Sequence, residues 1–79
     1  MNDEIVNTWI QISKKKRHKF IVSIHNSSDN TDFPAFYPIL EELLRYYDRH
    51  TEGYESVNEI IRINDDGSVS RNLTINDLI

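Results

Sequence analysis

Six successive side chains, Lys14-Lys15-Lys16-Arg17-His18-Lys19, gather positive charge in a chain whose net charge is −4. A cationic run attracts phosphate backbones without regard to sequence, through release of condensed counterions. Trp9 and Phe20 flank it, and an exposed aromatic ring can stack on a base. Lys14, Lys15, Lys16, Arg17 and Lys19 are therefore the candidate nucleic-acid contacts. The plainer reading is a solvated helix end whose lysines face the negative pole of the helix dipole, and it is the favoured one. The isoelectric point is near 5.2, and only Arg45, Arg49, Arg62 and Arg71 remain to widen a basic face.

The histidines come second. His18, His25 and His50, with Asp29, Asp32 or Asp48, supply the residue types of a metal site or an acid–base pair. Their spacing fixes no ligand set, since no His-x-x-x-His occurs. Asp29-Asn30-Thr31-Asp32 lacks the glycine and terminal glutamate of a calcium loop, and its two carboxylates disfavour a bound phosphate at the following element. Ser27 and Ser28 have no base signature beside them. No catalytic, metal or cofactor residue is assigned, and no cofactor is expected.

Aromatics give a third constellation. Phe33, Phe36, Tyr37, Tyr46, Tyr47 and Tyr54 crowd one segment, more bulk than one inward helix face accommodates. Tyrosine beside arginine is the composition of binding hot spots. Tyr37, Tyr46, Tyr54, Arg45 and Arg49 are the candidate contacts to a protein partner.

The elements that must position these groups are read from periodicity. Ile39, Leu40, Leu43, Leu44 and Tyr47, with Tyr46 beside them, form one face of an amphipathic helix over about 38–50. Pro38 suits its first position, after a short turn at 33–36 that Asp32 caps and Pro34 enters. Gly53 is placed to end it. Residues 3–16 read as a second helix with Ile5, Val6, Trp9, Ile10 and Ile12 inward and Asn2 or Asp3 as cap. Their β-branched content keeps an edge strand as the alternative, which would give ββαββ. Phe20–Ile24, apolar on both faces, predicts a central strand. Residues 57–73 predict a hairpin around Asn64-Asp65-Asp66-Gly67. In it Val57, Ile61 and Ile63 share one face and Asn58, Ile60 and Arg62 the other. Ser56-Val57-Asn58-Glu59 also matches a capping box, so a helical turn competes at 57–60. Residues 74–79 predict one helical turn or a docked tail.

The expected architecture is a single α+β domain over 1–79. A small single-layer antiparallel or mixed sheet, built from Phe20–Ile24 and the 57–73 hairpin, packs against the central helix and the N-terminal segment. At 79 residues without cysteine, one core must hold the fold with no disulfide. The acidic start and the lack of an apolar run of about 20 residues predict neither a secretory leader nor a membrane span, hence a cytoplasmic protein. Charge is divided unevenly: residues 1–19 hold five Lys/Arg against two acids, the remainder four Arg against eleven acids. These features point to a non-enzymatic binding protein of the regulator, inhibitor or antitoxin type that uses an acidic and aromatic surface. Its partner would be another protein, a basic and nucleic-acid-binding one among the options, or a second copy as a homodimer. A nucleic-acid-binding module built on Lys14–Lys19 is the alternative, and a small metal-dependent hydrolase ranks third.

Overall fold

A computed structural model describes residues 3–79. Its elements run α1 (Asp3–Lys16), β1 (Phe20–Asn26), β2 (Thr31–Tyr37), α2 (Leu40–Tyr46), a 3₁₀ turn (Tyr47–Thr51), β3 (Glu55–Ile63), β4 (Val69–Leu73) and α3 (Ile75–Leu78). The four strands form one antiparallel sheet in the order β2-β1-β3-β4. The fold is α+β, as expected, with β1 central and helices on both faces.

The N-terminal segment is helical because a two-faced surface was available to it. Val6, Trp9, Ile10 and Ser13 are buried at helical spacing. The cap expected at Asn2 lies outside the described residues. At the other end, the N–H of His18 donates to the Ser13 carbonyl (2.9 Å) and that of Arg17 to the Lys14 carbonyl (3.2 Å). Arg17 has φ 59, the left-handed residue that closes many helices and is usually glycine. Ser13 Oγ also donates to the His18 carbonyl, 2.7 Å away. The chain thus reverses into β1 without a glycine.

Residues 31–37 correct the reading of 33–36 as a capped turn. They form β2, paired along its whole length with β1 from Phe20↔Tyr37 to Asn26↔Thr31. Pro34 is tolerated because β2 is an edge strand, where a missing N–H costs no ladder bond when it faces outward. Phe33, Ala35 and Tyr37 pack on one core and Phe36 on the other, so the alternation of a strand overrode the helical signal. The central helix is correspondingly shorter than 38–50: it begins at Leu40, two residues after Pro38, and tightens into the 3₁₀ turn at Tyr47. Gly53 has the positive φ foreseen for it, 61, directly after the cap residue Glu52, so it closes the 3₁₀ turn rather than α2 itself.

The hairpin around Gly67 (φ 87) is present, and Ser56–Glu59 is strand rather than capping box. Its face assignment needs one correction. Ser23 opposes Glu59 while Ile24 opposes Val57, so Asn58 is an extra residue in β3. This bulge turns Val57 onto the face of Ile60 and leaves Ile61 and Ile63 on the other. A second bulge lies in β4, where Arg71 and Asn72 stand opposite Ile61 alone, between the pairs Ile60↔Leu73 and Arg62↔Ser70. The tail does form a single turn, α3, with Asp77 Oδ2 accepting from the Thr74 N–H at 2.7 Å and its hydroxyl at 3.1 Å.

Two cores result, one on each sheet face. Val6, Trp9 and Ile10 of α1 seal Ile21 and Ile61, with Phe36, Ile63 and Val69 at the margin. On the opposite face Phe20, Val22, Ile24, Tyr37, Leu43 and Ile60 are buried, and nine further apolar side chains pack against them only partly covered.

Candidate functional site

The aromatic–arginine candidates fall mainly at one edge of the α2 face. Tyr37, at the end of β2, is buried rather than displayed. Its hydroxyl is hydrogen-bonded to His50 Nε2, and burial, with Tyr46 beside it, raises its pKa. Tyr46 stacks on it (centroids 6.2 Å apart, planes 13° from parallel), and the Arg49 guanidinium stands 5.1 Å over the Tyr46 ring. Tyr37, Tyr46, Arg49 and His50 therefore form one ordered stack with Arg49 outermost. Arg45 joins Glu41 at 3.3 Å on the exposed side of α2. Tyr54 is apart from them and 69% exposed. Its carbonyl accepts from both the N–H and the hydroxyl of Ser27, which ties the start of β3 to the β1–β2 turn.

Leu43 is fully buried, whereas Leu44, expected inward, is 39% exposed, and Ile39 is exposed just before the helix. Leu40, Tyr47, Leu73, Ile75 and Leu78 are all half-covered around the same core. The reason is length. α2 has seven residues and α3 four, too little helix to cover four strands. The result is a set of incompletely covered apolar side chains around the core that also holds Tyr37 and Tyr46.

The basic run occupies the opposite corner. Lys14, Lys15 and Lys16 form the exposed last turn of α1, Arg17 its left-handed close, and Lys19 pairs with Asp65 at 3.4 Å. His18 has its ring edge on Phe36. The arginines that might widen this corner are mostly committed elsewhere. Arg71 is held by Glu59, Arg45 by Glu41, and Arg49 lies over Tyr46. Arg62 alone is at this end of the sheet, its Nε donating to Asn64 Oδ1.

Sequence reasoning missed a polar ledge on the α1 side of the sheet, beyond the helix. Glu59, with its side chain 4% exposed, accepts from Arg71 Nε and Nη2 and, at 2.8 Å, from the N–H of Asn72. Asn72 has φ 55 at the β4 bulge. Both bulges thus converge on one buried carboxylate, and the Glu59 pairing raises the Arg71 pKa. Asn58, the residue of the other bulge, donates to Ser23 Oγ and to Asp32 Oδ1 (3.0 Å), which also meets His25 Nδ1 at 2.9 Å. These contacts, Asn58 first and His25 second, lower the Asp32 pKa. Asn58, Glu59, Arg71 and Asn72 line an open depression of about 260 Å³. Nothing in local spacing announces this cluster. The one signal was a Glu standing directly before the apolar pair Ile60-Ile61.

His25 and Asp32 do come together, with Nδ1 and Oδ1 2.9 Å apart. Among the described residues no group of three or more His, Asp or Glu side chains is arranged to hold a metal ion, and no helix is long and apolar enough to cross a membrane.

The arrangement defines a small α+β protein with one sheet between two unequal helical coverings. Compared with protein-family models, curated proteins and solved structures, the chain matches none.

Proposed function

We propose that this protein is a cytoplasmic binding protein of the regulator, inhibitor or antitoxin type, which acts without catalytic chemistry by docking its α2 face on another protein. The observation that carries this reading is the half-covered apolar set on that face, which includes Tyr46 under Arg49, with Leu44 39% exposed. A small domain depends on burying nearly all its large apolar groups. A group of them left half-covered, with aromatic and arginine side chains among them, has the composition of an interface core and its hot spots. The test is capture of partners from the source cell's lysate, with and without nuclease, using the wild-type chain and a Leu44→Asn/Tyr46→Ala variant. A nuclease-resistant partner that the variant fails to capture supports the reading. Capture indifferent to both substitutions overturns it.

One observation favours the nucleic-acid alternative. Lys14, Lys15, Lys16 and Arg17 are exposed together at one corner. Replacing those four with Ser abolishes nucleic-acid binding under that alternative and leaves protein capture intact under the first. The corner is narrow, and the sum of the remaining charge is negative, which weighs against it.

A further inference from the structure

The half-covered side chains around the α2-side core, Leu40, Tyr47, Leu73, Ile75 and Leu78, with exposed Leu44 on the same helix, belong to elements whose charge has one dominant sign. The elements that build this face carry Glu41, Glu42, Asp48, Glu52, Glu55 and Asp77, against Arg45, Arg49 and, towards the Phe20 end, Arg62. Arg45 and Glu41 offset one another, Asp77 is taken up by the Thr74 cap, Glu55 stands 3.8 Å from His50 and Arg49 lies over Tyr46, which leaves Glu42, Asp48 and Glu52 as the carboxylates offered to a partner. From this complementarity, and resting on the reading of the face as a protein-docking surface, we infer that its occupant is a cationic amphipathic segment of another protein: apolar side chains on the half-covered apolar groups, Lys or Arg over the carboxylate rim.

A second copy of the chain fits this face poorly. A two-fold interface sets the same patch against itself, which here brings one acidic rim onto another, and like charges across an interface oppose association. Pairing of copies through sheet edges is also hindered. β2 carries Pro34 at its centre, and β4 has five residues broken by a bulge. An amphipathic segment lying along a helix-lined apolar surface is a recurring recognition mode, anchored at i, i+3, i+4 spacing. The cationic rim contacts would speed encounter and set specificity, while the apolar anchors set the lifetime of the complex.

The experiment uses the full chain and three synthetic helical peptides of equal length. One carries Leu on one face and Lys on the other. The second has the same Leu face with Glu. The third keeps the Lys and replaces Leu by Ser. Binding is followed by fluorescence and by backbone amide shifts. The expected result is selective binding of the Leu/Lys peptide, with shifts at Leu40, Leu44, Leu73 and Leu78 and none across Val6–Ser13. Leu44→Asn should weaken it at least about tenfold, and Glu42→Gln/Asp48→Asn several-fold with a flatter salt dependence. Because these side chains are not core residues, melting curves should show both variants folded. Equal binding of the Leu/Glu peptide, or of the Ser/Lys peptide, overturns the cationic amphipathic occupant. So does a dimer of the free protein, in sedimentation equilibrium, that Leu44→Asn dissolves. A preference for the Leu/Glu peptide on the same face removes this inference and leaves the docking reading standing. Lysate capture unaffected by Leu44→Asn/Tyr46→Ala removes both.

Discussion

The two faces of the sheet were built with different amounts of helix. On one, the 14 residues of α1 lie over Ile21 and Ile61 and bury Val6, Trp9 and Ile10. On the other, two short helices and a 3₁₀ turn divide the work, and apolar side chains from Phe33 to Leu78 are left half in water. The strands beneath differ too: Phe20, Val22, Ile24, Tyr37 and Ile60 are buried on the α2 side, against Ile21 and Ile61 beside the polar Ser23 and Glu59 on the α1 side. The more apolar sheet face thus carries the shorter helical covering. Both faces contribute buried core, and under the proposed docking reading the loosely covered face is where a partner gains binding energy by finishing a burial that folding left incomplete. The α1 side is not wholly apolar. Past the helix, its surface becomes the ledge of Ser23, Asn58, Glu59 and Arg71, closed by hydrogen bonds instead of packing.

The sharpest way to break this comparison is to attack the ledge. Arg71→Ala leaves the Glu59 carboxylate buried with only the Asn72 N–H to answer it. Removing one partner of a buried pair typically costs about 3–5 kcal/mol. Urea melts should place this variant among the least stable single substitutions. A loss of only a few tenths would show that water reaches Glu59 freely and that the ledge is ordinary surface.

Next in size is a pair of identical changes at adjacent positions. Leu43 is fully buried and Leu44 is 39% exposed. Leu43→Ala should cost about 2–5 kcal/mol through lost burial and a residual cavity, and Leu44→Ala about 1 kcal/mol or less. The same melts decide it. Equal costs would mean that Leu44 is held in the core in solution and that the half-covered set is smaller than described.

How much of this was legible beforehand follows from where each signal resides. α1, β1 and the Asp66-Gly67 hairpin were readable because their evidence is local: helical spacing of Val6, Trp9 and Ile10, an unbroken apolar run at Phe20–Ile24, and a glycine at a turn. β2 was not, because Asp32 and Pro34 look like a helix entry until β1 offers its edge for pairing. Pairing between strands is a nonlocal fact, and it decided the conformation of Thr31–Tyr37. The bulge at Asn58 was invisible for a related reason. Strict alternation groups Val57 with Ile61, and one inserted residue exchanges their faces. Among the candidate contacts, Arg49 was expected on the side of the helix away from the apolar face, and the 3₁₀ turn after α2 brings it over Tyr46 instead. Tyr37 went inward because strand alternation sets it on the face of Phe33 and Ala35, and Glu59 with Arg71 emerged only from the β3–β4 register.

A smaller effect concerns the turn out of the sealing helix. Arg17 holds φ 59, a conformation in which a Cβ is strained and glycine is not. Arg17→Gly should raise stability by about 1 kcal/mol, read from the shift of the denaturant midpoint. If the midpoint falls instead, Arg17 makes contacts that outweigh its backbone strain, and the basic corner is more than a solvated end.

The smallest expected effect tests the hydrogen-bonded ledge against the packed core by pH. Asp32 is held below the usual aspartate range, chiefly by the Asn58 amide and then by His25. A carboxyl whose pKa is lower folded than unfolded binds protons more readily in the unfolded chain. Its contribution is therefore complete above the unfolded pKa, near pH 4, and disappears as pH falls through the lower folded value. Asn58→Ala removes the principal cause, so the Asp32 carboxyl shift in an NMR titration should move its midpoint upward. The stability gap between the two proteins should be constant near neutral pH and shrink below about pH 4 as both carboxyls protonate. Leu43→Ala supplies the contrast, because a cavity in an apolar core has no proton to lose and its cost should be nearly the same at pH 7 and pH 3. An unchanged Asp32 midpoint in Asn58→Ala would mean that the bulge does not aim its amide at Asp32 in solution, and that the ledge is held by Glu59 and Arg71 alone.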